Sequence, residues 1–440
     1  MSLSPSRSTA FDILMRVEQG AFADELLHSE RLNGLSAPDR ALCTQIVMGV
    51  LRWRSQLDEM IASWSKTPPH KLDLEVATAL RIGVYQLTHL ERVPAHAAVN
   101  QTVELVKRAG RRFAAPMVNA VMRKIAESKP GPPPQTGEEQ SLNRIASATA
   151  HPLWLLKRWL SEYGLEAARQ ITRYDQEIPV PTLRLRDPNG ESDLRDEGVE
   201  LASGALVAAA RRVSSGDVTK TRVWAEGRAY LQDEASQLVA LLVGHGARIL
   251  DCCAAPGGKT SVIAERSPSS LVVAVELHPA RARSTRRLVR ARNVCVVAAN
   301  ATALPLAPNF DRALADVPCS GTGTLARNPE IKWRLRPEDL SDLHRRQVSI
   351  LRAALSCLVP GGRLVYSTCS LEREENEDVV TEVMSNDFRL RDCRDELQRL
   401  QAEGELVWGD LDSLVRGKFL RTLPGVHPSD GFFAATIERT

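Results

Sequence analysis

Two cysteines and a carboxylate in this sequence are the residue types that a methyl transfer to a pyrimidine ring requires. Cys319 lies three residues after Asp316, and Cys369 ends an apolar run that begins near residue 363. A thiolate that adds to carbon 6 of cytosine converts the ring into an enamine, whose carbon 5 then attacks a methylsulfonium. The reaction needs a partly exposed cysteine. It also needs an acid or hydrogen-bond partner near the ring's N3, a role open to Asp316, and a base for the carbon-5 proton.

A turn rich in glycine and proline, residues 251–260, supplies a place for the methyl donor. Gly257 and Gly258 allow a nucleotide to approach the backbone closely, and the helix predicted after them offers free backbone N–H groups. Glu276 ends the next predicted strand, where an acid can accept hydrogen bonds from a ribose diol. The predicted cofactor is S-adenosylmethionine, because it is a nucleotide that carries the methyl group the cysteines require.

Other interpretations of these two loops exist. A dinucleotide fold would carry G-x-G-x-x-G at the turn, and a phosphate loop would carry G-x-x-x-x-G-K-[ST], which residues 253–260 match except at Cys253. A plain strand-to-helix turn also explains two adjacent glycines. An adenine-amine methyltransferase would place an aromatic residue where Cys319 stands, and an isolated cysteine is usually a small buried residue. Two cysteines together with Glu276 favour the methyl transfer.

Each of these residues lies at the carboxyl end of a predicted strand. From about residue 221, short apolar strands alternate with helical segments, and the strands cover 248–250, 271–275, 294–297, 312–315 and 363–366. This alternation predicts a doubly wound parallel sheet. In such sheets ligands bind outside the carboxyl ends of the strands, which is where the candidate residues stand.

The chain of 440 residues is long enough for two or three domains. Residues 1–127 carry apolar residues at helical spacing and predict an all-α domain. A Pro/Gly-rich linker is predicted at 128–140, a small α+β RNA-binding module at 141–220, and an α/β Rossmann-like methyltransferase domain at 221–440.

The overall balance of positive and negative residues does not indicate a polyanionic partner. Lys and Arg together number 57 against 54 Asp and Glu, so any nucleic-acid surface must come from local clusters. The candidate clusters are Lys107, Arg108, Arg111 and Arg112, and the arginines at 281, 283, 286, 287, 290 and 292. A solvated helix face explains the first cluster as well as phosphate contacts do. The arginines of the second cluster are spread around much of the predicted helix, so we expect some of them to face solvent without contacting RNA.

The remaining composition predicts a cytoplasmic protein. No apolar run approaches the ~18 residues of a spanning helix, and the N-terminus does not resemble a signal peptide. None of the eight cysteines forms a C-x2-4-C pair, so neither a metal nor a disulfide is expected. Cys43, Cys295 and Cys357 lie in apolar runs and are predicted to be core residues.

Residues 230–440 resemble the RNA cytosine-C5 methyltransferases of the NOL1/NOP2/Sun family. The resemblance is carried by the segments 231–236, 253–259, 316–323, 366–370, 374–377 and 430–433. It implies that Cys369 attacks carbon 6 and that Cys319 helps to resolve the adduct, an assignment that the residues alone leave open. It also implies that Glu276, Asp316 and the turn contact the cofactor or the base, with Lys259 near the reacting centre. The implied turn contacts are Cys253, Ala254, Ala255, Pro256, Gly257, Gly258 and Lys259.

One position departs from the family pattern. The family usually carries Asp after the third strand, on the adenine side of the cofactor, and Asn300 occupies that position here. An amide can still accept a hydrogen bond from the adenine amine through its oxygen, so we expect Asn300 to bind the cofactor.

Residues 1–127 resemble the all-helical NusB-like RNA-binding fold, through the segments 93–104 and 118–123. This fusion is typical of the bacterial Sun/Fmu group, which implies an enzyme that methylates a cytosine of small-subunit 16S ribosomal RNA. We also expect the protein to be a monomer. A transfer-RNA or 23S enzyme with the same site is the first alternative. A non-catalytic RNA-binding factor of ribosome assembly is the second, although retention of both cysteines, Asp316 and Lys259 speaks against it.

Overall fold

The computed structural model describes residues 3–128, 142–187 and 189–440. It divides into two compact units, one formed by Met1–Ile178 with Leu325–Arg334 and the other by Pro179–Thr324 with Leu335–Thr440. Apart from Ser128, the predicted linker at 128–140 lies outside the described residues. The domain boundaries placed at 127, 140 and 220 stay predictions.

The N-terminal part of the first unit is helical, in agreement with the predicted NusB-like fold class. Helix α4 lies at its centre because apolar or small residues cover most of its circumference, and residues 76–86 are buried throughout. Gly83 allows a close approach there, since a Cβ at this position would lie 2.6 Å from Met122 Cε. The helices are α1 (Pro5–Glu18), α2 (Ala23–Leu27), α3 (Ala37–Trp64), α4 (Leu74–His89), α5 (Ala95–Arg108), α6 (Ala115–Ser128), α7 (Leu142–Ala148) and α8 (Leu153–Tyr174).

The second unit begins with a small antiparallel sheet in the order β2-β3-β1-β4. Its core is formed by Leu183, Leu194, Val199 and Val223. The elements are β1 (Thr182–Leu185), α9 (Gly190–Asp196), β2 (Glu200–Ser203), β3 (Ala210–Ser215), α10 (Arg222–Ala225) and β4 (Ala229–Leu231).

The first half of the large sheet follows the strand-helix alternation of the sequence. Its elements are α11 (Glu234–Leu242), β5 (Arg248–Asp251), α12 (Gly258–Arg266), β6 (Leu271–Glu276), α13 (Pro279–Val289), β7 (Val294–Ala298) and β8 (Phe310–Asp316).

After β8 the chain runs through Leu325–Arg334, which belongs to the first unit and contains the short helix α14 (Ile331–Arg334). Within that unit Lys332 Nζ donates to Arg52 O at 2.9 Å and to Ala150 O at 3.0 Å. Burial lowers the pKa of Lys332 to about 7. This buried segment is therefore fixed to the helices by hydrogen bonds to their backbone carbonyls.

The second half of the large sheet contains α15 (Asp339–Ser356), β9 (Leu358–Thr368), α16 (Glu377–Val383), β10 (Phe388–Arg391), α17 (Cys393–Ala402), β11 (Val415–Arg416), β12 (Phe419–Thr422) and β13 (Phe432–Arg439). The strand order is β11-β12-β13-β9-β8-β5-β6-β7, with β10 also pairing with β13. Alternate residues of a strand point to opposite sides of the sheet, and helices pack against both of these sides. Ile249 packs with the cluster of α11 and α12, and Leu250 with that of α15 and α16.

The α/β fold class is confirmed, and the predicted parallel sheet corresponds to the strands β7-β6-β5-β8-β9. The antiparallel extension by β10, β11, β12 and β13 was not predicted. Residues 432–437 of strand β13 are buried on both faces. The sequence there is therefore mostly apolar and lacks the polar–apolar alternation that would indicate an antiparallel strand. The short strands around it carry too few residues for a clear alternation.

The order of strands reverses at β5, which lies between β6 on one side and β8 on the other. The crevice outside the carboxyl ends of strands at such a switch point is the usual ligand site of this architecture. Asp251 and Asp316 end the two strands that flank the crevice, and Glu276 and Thr368 end the strands next to them.

Cys43 and Cys357 are buried, as predicted, but Cys295 is exposed. Cys295 stands on the edge strand β7, where alternate side chains face outward, and an apolar neighbourhood in sequence does not reveal that orientation. In the part of the chain that the structure describes, no helix is both long and apolar enough to cross a membrane.

Candidate active site

The structure brings the two predicted cysteines together at one edge of the large sheet. β8 and β9 pair in parallel with Asp316 opposite Ser367, so Cys319 and Cys369 follow neighbouring strand ends. Their Sγ atoms lie 3.3 Å apart, and both side chains are partly exposed. Two sulfurs at this separation can contact the same aromatic ring.

The two sulfurs have different electrostatic surroundings. A hydrogen bond with Cys369 raises the pKa of Cys319 well above its usual value, and burial and the nearby charges of Cys369, Glu375 and Asp316 raise it further. Cys319 is therefore a protonated thiol at neutral pH. Its S–H can donate to the Cys369 sulfur.

Lys259 and Asp316, both predicted site residues, form an ion pair. Lys259 Nζ lies 2.7 Å from Asp316 Oδ2, and the two side chains are only 13% and 25% exposed. Burial is the largest single effect and lowers the pKa of Lys259, but Asp316, the Cys369 sulfur and Asp251 together raise it by more, so the net shift is upward. The structure thus holds a fixed positive charge whose field reaches one of the two sulfurs.

Two residues that position this pair were not predicted. Ser367 donates its hydroxyl to Asp316 Oδ1 at 2.6 Å, and the Lys259 ammonium lies 4.9 Å from the centroid of the Phe432 ring, a cation–π distance. Both residues lie in segments that carry the family resemblance, at 366–370 and 430–433. The sequence therefore marked these two positions but did not indicate what their side chains do.

The glycine-rich turn connects β5 to α12 and is fastened to both neighbouring strands. Cys252 donates its backbone N–H to Leu314 O of β8, and Ala254 donates to Val275 O of β6, both at 2.9 Å. The turn therefore has little freedom to move away from the switch point.

Gly257 is the residue of this turn that most requires glycine. Its φ of +117° is a conformation that side chains with a Cβ rarely adopt, and an added Cβ would lie 2.9 Å from Val289 Cγ2. The other turn residues differ in exposure: Cys253, Ala255 and Gly258 are half-buried, and Pro256, which follows a cis peptide bond, is exposed.

Asp251 anchors the base of the turn from inside the protein. It is buried, and its carboxylate accepts hydrogen bonds from Thr260 Oγ1 at 2.6 Å and from the Cys253 backbone N–H at 3.4 Å. Burial raises the pKa of Asp251 to about 6 from an ordinary value of 3.8, although the bond from Thr260 opposes this shift.

The raised pKa of Asp251 makes the stability of this unit depend on pH. The folded state binds the proton more tightly than the unfolded chain, so the free energy of unfolding falls as pH rises from about 4 to about 6 and then levels off. Asp251→Asn removes this dependence. Measured by urea-dependent hydrogen exchange in α12, the free energy of unfolding of Asp251→Asn relative to wild type should rise by about 1 kcal/mol between pH 5 and pH 7.5.

A surface variant separates this effect from general changes with pH. Asp342→Asn replaces an exposed carboxylate on α15, and its difference from wild type should stay constant over the same range. A constant difference for Asp251→Asn as well would contradict the assignment of the raised pKa.

Glu276 stands at the end of β6 with one carboxylate oxygen occupied. Its Oε1 accepts from the His278 backbone N–H at 3.0 Å and lies 3.7 Å from Arg281 Nη1. Among the described residues, no side chain or backbone group donates to its Oε2. A buried carboxylate with one available oxygen at this position suits a ribose diol.

Asn300 follows β7 and its side-chain orientation is fixed locally. Its Oδ1 accepts from the Thr302 backbone N–H at 3.0 Å and from the Thr302 hydroxyl at 2.9 Å. The oxygen that we expected to meet the adenine amine is therefore already engaged. The Nδ2 group, a donor, is the more available side of this amide, so an adenine ring nitrogen is the better partner.

The two basic clusters have different surroundings. In the cluster on α5, Lys107 pairs with Glu104, Arg108 with Asp12, and Arg111 with Glu75 and Asp73, which is typical of a solvated face. On α13 and after it, Arg283, Arg287 and Arg292 are exposed and form no ion pair within the described residues. The second cluster is the better candidate for phosphate contacts.

Two family models match the chain. Residues 238–438 match a family described as 16S rRNA methyltransferase RsmB/F, and residues 4–127 match the NusB family. The chain is 32% identical to the "Ribosomal RNA small subunit methyltransferase B" of Salmonella paratyphi B over 437 residues, covering 96% of this chain and 95% of that protein. It is 30% identical to the protein of the same name from Vibrio vulnificus, covering 98% of both.

Solved structures share the fold. "Crystal Structure of PH0851" aligns over 100% of both chains with a TM-score of 0.79 and 22% identity. The structure of NSun6 from Pyrococcus horikoshii with SFG aligns with a TM-score of 0.54 and 19% identity, over 66% of this chain and 98% of that one. At these identities the likeness is one of fold.

Proposed function

We propose, from the premise that this chain belongs to the RsmB/F family of 16S rRNA methyltransferases, that it transfers a methyl group from S-adenosylmethionine to carbon 5 of a cytosine in 16S ribosomal RNA. The observation that carries the proposal is the pair of sulfurs, Cys319 and Cys369, 3.3 Å apart at the switch-point edge of the sheet. A transfer to an exocyclic nitrogen or a ribose oxygen needs no sulfur nucleophile, whereas carbon 5 does.

In the proposed reaction the Cys369 sulfur forms a bond to carbon 6 of cytosine, and the electrons of the C5–C6 double bond make carbon 5 nucleophilic. Asp316, held by Lys259 and Ser367, accepts a hydrogen bond from the exocyclic amine and orients the ring. S-adenosylmethionine, held by the turn at 253–259, would supply the methyl group that carbon 5 receives. A base then removes the carbon-5 proton, the double bond re-forms, and Cys369 leaves as a thiolate.

The electrostatics support the division of roles between the sulfurs. Lys259 is a positive charge close enough to Cys369 for that sulfur to raise its pKa, so it stabilises a thiolate there. The hydrogen bond that Cys319 donates to Cys369 is the largest cause of the raised pKa of Cys319. Once Cys369 is bonded to carbon 6 this cause disappears, Cys319 gives its proton to solvent more easily, and the Cys319 thiolate becomes available as the base.

The residues of the turn fit an S-adenosyl nucleotide. The available Oε2 of Glu276 suits the ribose hydroxyls, and α12 begins at Gly258 with backbone N–H groups at its first turn. When bound, the cofactor supplies the electrophilic methyl group. SFG, in the structure of NSun6, is an analogue of S-adenosylmethionine, and the turn at 253–259 is proposed for the same role here.

Glu276→Gln should weaken cofactor binding. A neutral amide accepts hydrogen bonds from the ribose less strongly than a carboxylate, by an amount equivalent to about a tenfold loss of affinity. Isothermal titration calorimetry with S-adenosylhomocysteine measures this change in the dissociation constant. Arg281→Gln is the matched control, because it removes the neighbour of Glu276 at 3.7 Å without touching the carboxylate; an equal loss in both variants would assign the effect to the ion pair instead.

The RNA target is proposed from the family and from the NusB-like region at residues 4–127, which we propose binds RNA. The test is nucleoside mass spectrometry on 16S, 23S and transfer RNA from cells lacking the gene, each incubated with the purified protein and S-adenosylmethionine. The proposal expects 5-methylcytidine in 16S RNA alone. Its appearance in transfer RNA or 23S RNA would favour the first alternative, and RNA binding without any 5-methylcytidine would favour a non-catalytic assembly factor.

A further inference from the structure

Glu375 is a fully buried carboxylate that the reaction described above does not use. It ends the 3-10 turn Arg373–Glu375 after β9 and is 0% exposed. Its Oε1 accepts from the Ser320 backbone N–H at 2.8 Å and from Gln347 Nε2 at 2.9 Å. Its Oε2 accepts from the hydroxyls of Ser320 and Ser370. One carboxylate thus ties together the two residues that directly follow the two cysteines.

The hydrogen bonds of this buried carboxylate come from neutral donors. Within the described part of the chain, Glu375 forms no ion pair with Lys, Arg or His, so its charge is balanced only by neutral hydrogen-bond donors. Burying a carboxylate is costly unless its oxygens are well bonded. Four donors on two oxygens meet that condition, and Tyr366, which donates to the Glu375 backbone carbonyl at 2.6 Å, fixes the turn from the other side.

The bridge reinforces other links between the two loops: Gly323 donates its backbone N–H to Cys369 O at 2.9 Å, and Leu371 donates its backbone N–H to Thr322 Oγ1 at 2.9 Å. Ser320 and Ser370 hydroxyls also lie 3.0 Å from each other, and both side chains are buried while the cysteines before them are partly exposed. The carboxylate therefore holds the buried serine that directly follows each of the two more exposed cysteines. Any rotation of one loop against the other would break at least one of these bonds and change the separation of the sulfurs.

We propose that Glu375 is a positioning residue that locks the Cys319 and Cys369 loops to each other, so that the two sulfurs act as a pair on one pyrimidine ring. This inference rests on the proposed function for its consequence in catalysis, although the locking itself can be measured without RNA. Glu375 is also one of the charges that raise the pKa of Cys319.

The first test measures the geometry directly, without RNA. Diamide takes up two hydrogens from a pair of thiols and joins them as a disulfide, at a rate that depends on how often the sulfurs meet. Peptide mass spectrometry should show that the Cys319–Cys369 disulfide forms at least about tenfold more slowly in Glu375→Gln than in wild type, since a misplacement near 1 Å can cost up to about a hundredfold in rate. Asp378→Asn, at an exposed carboxylate in the next helix that pairs with Arg373, should match wild type.

The second test uses turnover. If the lock fails, Cys369 can still attack, but Cys319 is poorly placed to release the product. Glu375→Gln should therefore accumulate the protein–RNA adduct, with kcat reduced about ten- to a hundredfold and KM for 16S RNA changed less than about threefold. Partial unfolding would instead lower adduct and turnover together. Ser320→Ala and Ser370→Ala remove single ends of the bridge and should show the same pattern more weakly, even if a Glu375 variant folds poorly.

A wild-type rate of disulfide formation in Glu375→Gln would overturn the proposal, as would a parallel loss of adduct and turnover in all three variants. These outcomes are distinct from a failure of the proposed function. If the wild-type protein makes no 5-methylcytidine, the methylation proposal is wrong. The rate of disulfide formation still shows whether Glu375 holds the two loops together.

Discussion

Cys319→Ala should accumulate a covalent protein–RNA complex that survives denaturation, and Cys369→Ala should form none. Cys369 forms the bond to carbon 6, so its removal eliminates the nucleophile and should lower methylation at least about a thousandfold. Cys319 acts after methyl transfer, so its removal leaves the first half of the reaction intact and stops the second. Denaturing gel electrophoresis with labelled 16S RNA and S-adenosylmethionine measures both outcomes.

Cys295→Ala is the matched control for these variants. Cys295 is exposed on β7, so it tests whether removal of any accessible thiol changes the result, and it should behave as wild type. An adduct from Cys369→Ala, with none from Cys319→Ala, would show that the two sulfurs have exchanged the roles proposed here. The absence of an adduct from either variant under these conditions would contradict covalent catalysis.

Asp316→Asn should have the second largest effect, on both stability and catalysis. The substitution leaves the Lys259 ammonium without its partner at 2.7 Å in a mostly buried position, and breaking such a pair costs about 3 kcal/mol. It also removes the carboxylate that we propose orients the ring, which should lower kcat/KM about a hundredfold or more. Urea unfolding and methylation kinetics measure the two effects separately.

A second substitution separates the structural effect from the chemical one. In Asp316→Asn combined with Lys259→Met no unpaired charge remains, so stability should recover in part while activity stays low. Recovery of activity together with stability would contradict a direct role for the pair. Asp187→Asn, which removes the partner of Arg228 at 2.8 Å in the small sheet, is the control, and it should leave kcat/KM within about twofold of wild type.

The sequence contains most of the information on where the site lies, because strand ends are local features. Apolar runs ending at Asp251, Glu276 and Asp316 predict strand ends, and the parallel architecture then places these ends at one edge. The same logic brings Cys319 and Cys369 to neighbouring loops. It does not predict their 3.3 Å separation, which depends on the register of β8 against β9.

The parts that sequence reasoning missed depend on side-chain direction. Glu375 is one of four glutamates in the segment 372–377, and nothing in that segment shows that this one contacts both cysteine loops. Asn300 follows the third strand of the parallel sheet, as the sequence indicates, but its side-chain oxygen already accepts hydrogen bonds from Thr302. The direction of β13 was hidden for a related reason, since burial on both faces removes the alternation that marks an antiparallel strand.

The most direct measurement of the central claim is tandem mass spectrometry of the complex trapped by Cys319→Ala, after digestion with trypsin and nuclease. The account predicts a cytidine nucleotide that carries one added methyl group, bonded to Cys369 in the tryptic peptide 364–373. A nucleotide attached at any other residue, a base other than cytosine, or an unmethylated cytidine in the complex formed with S-adenosylmethionine present would contradict it.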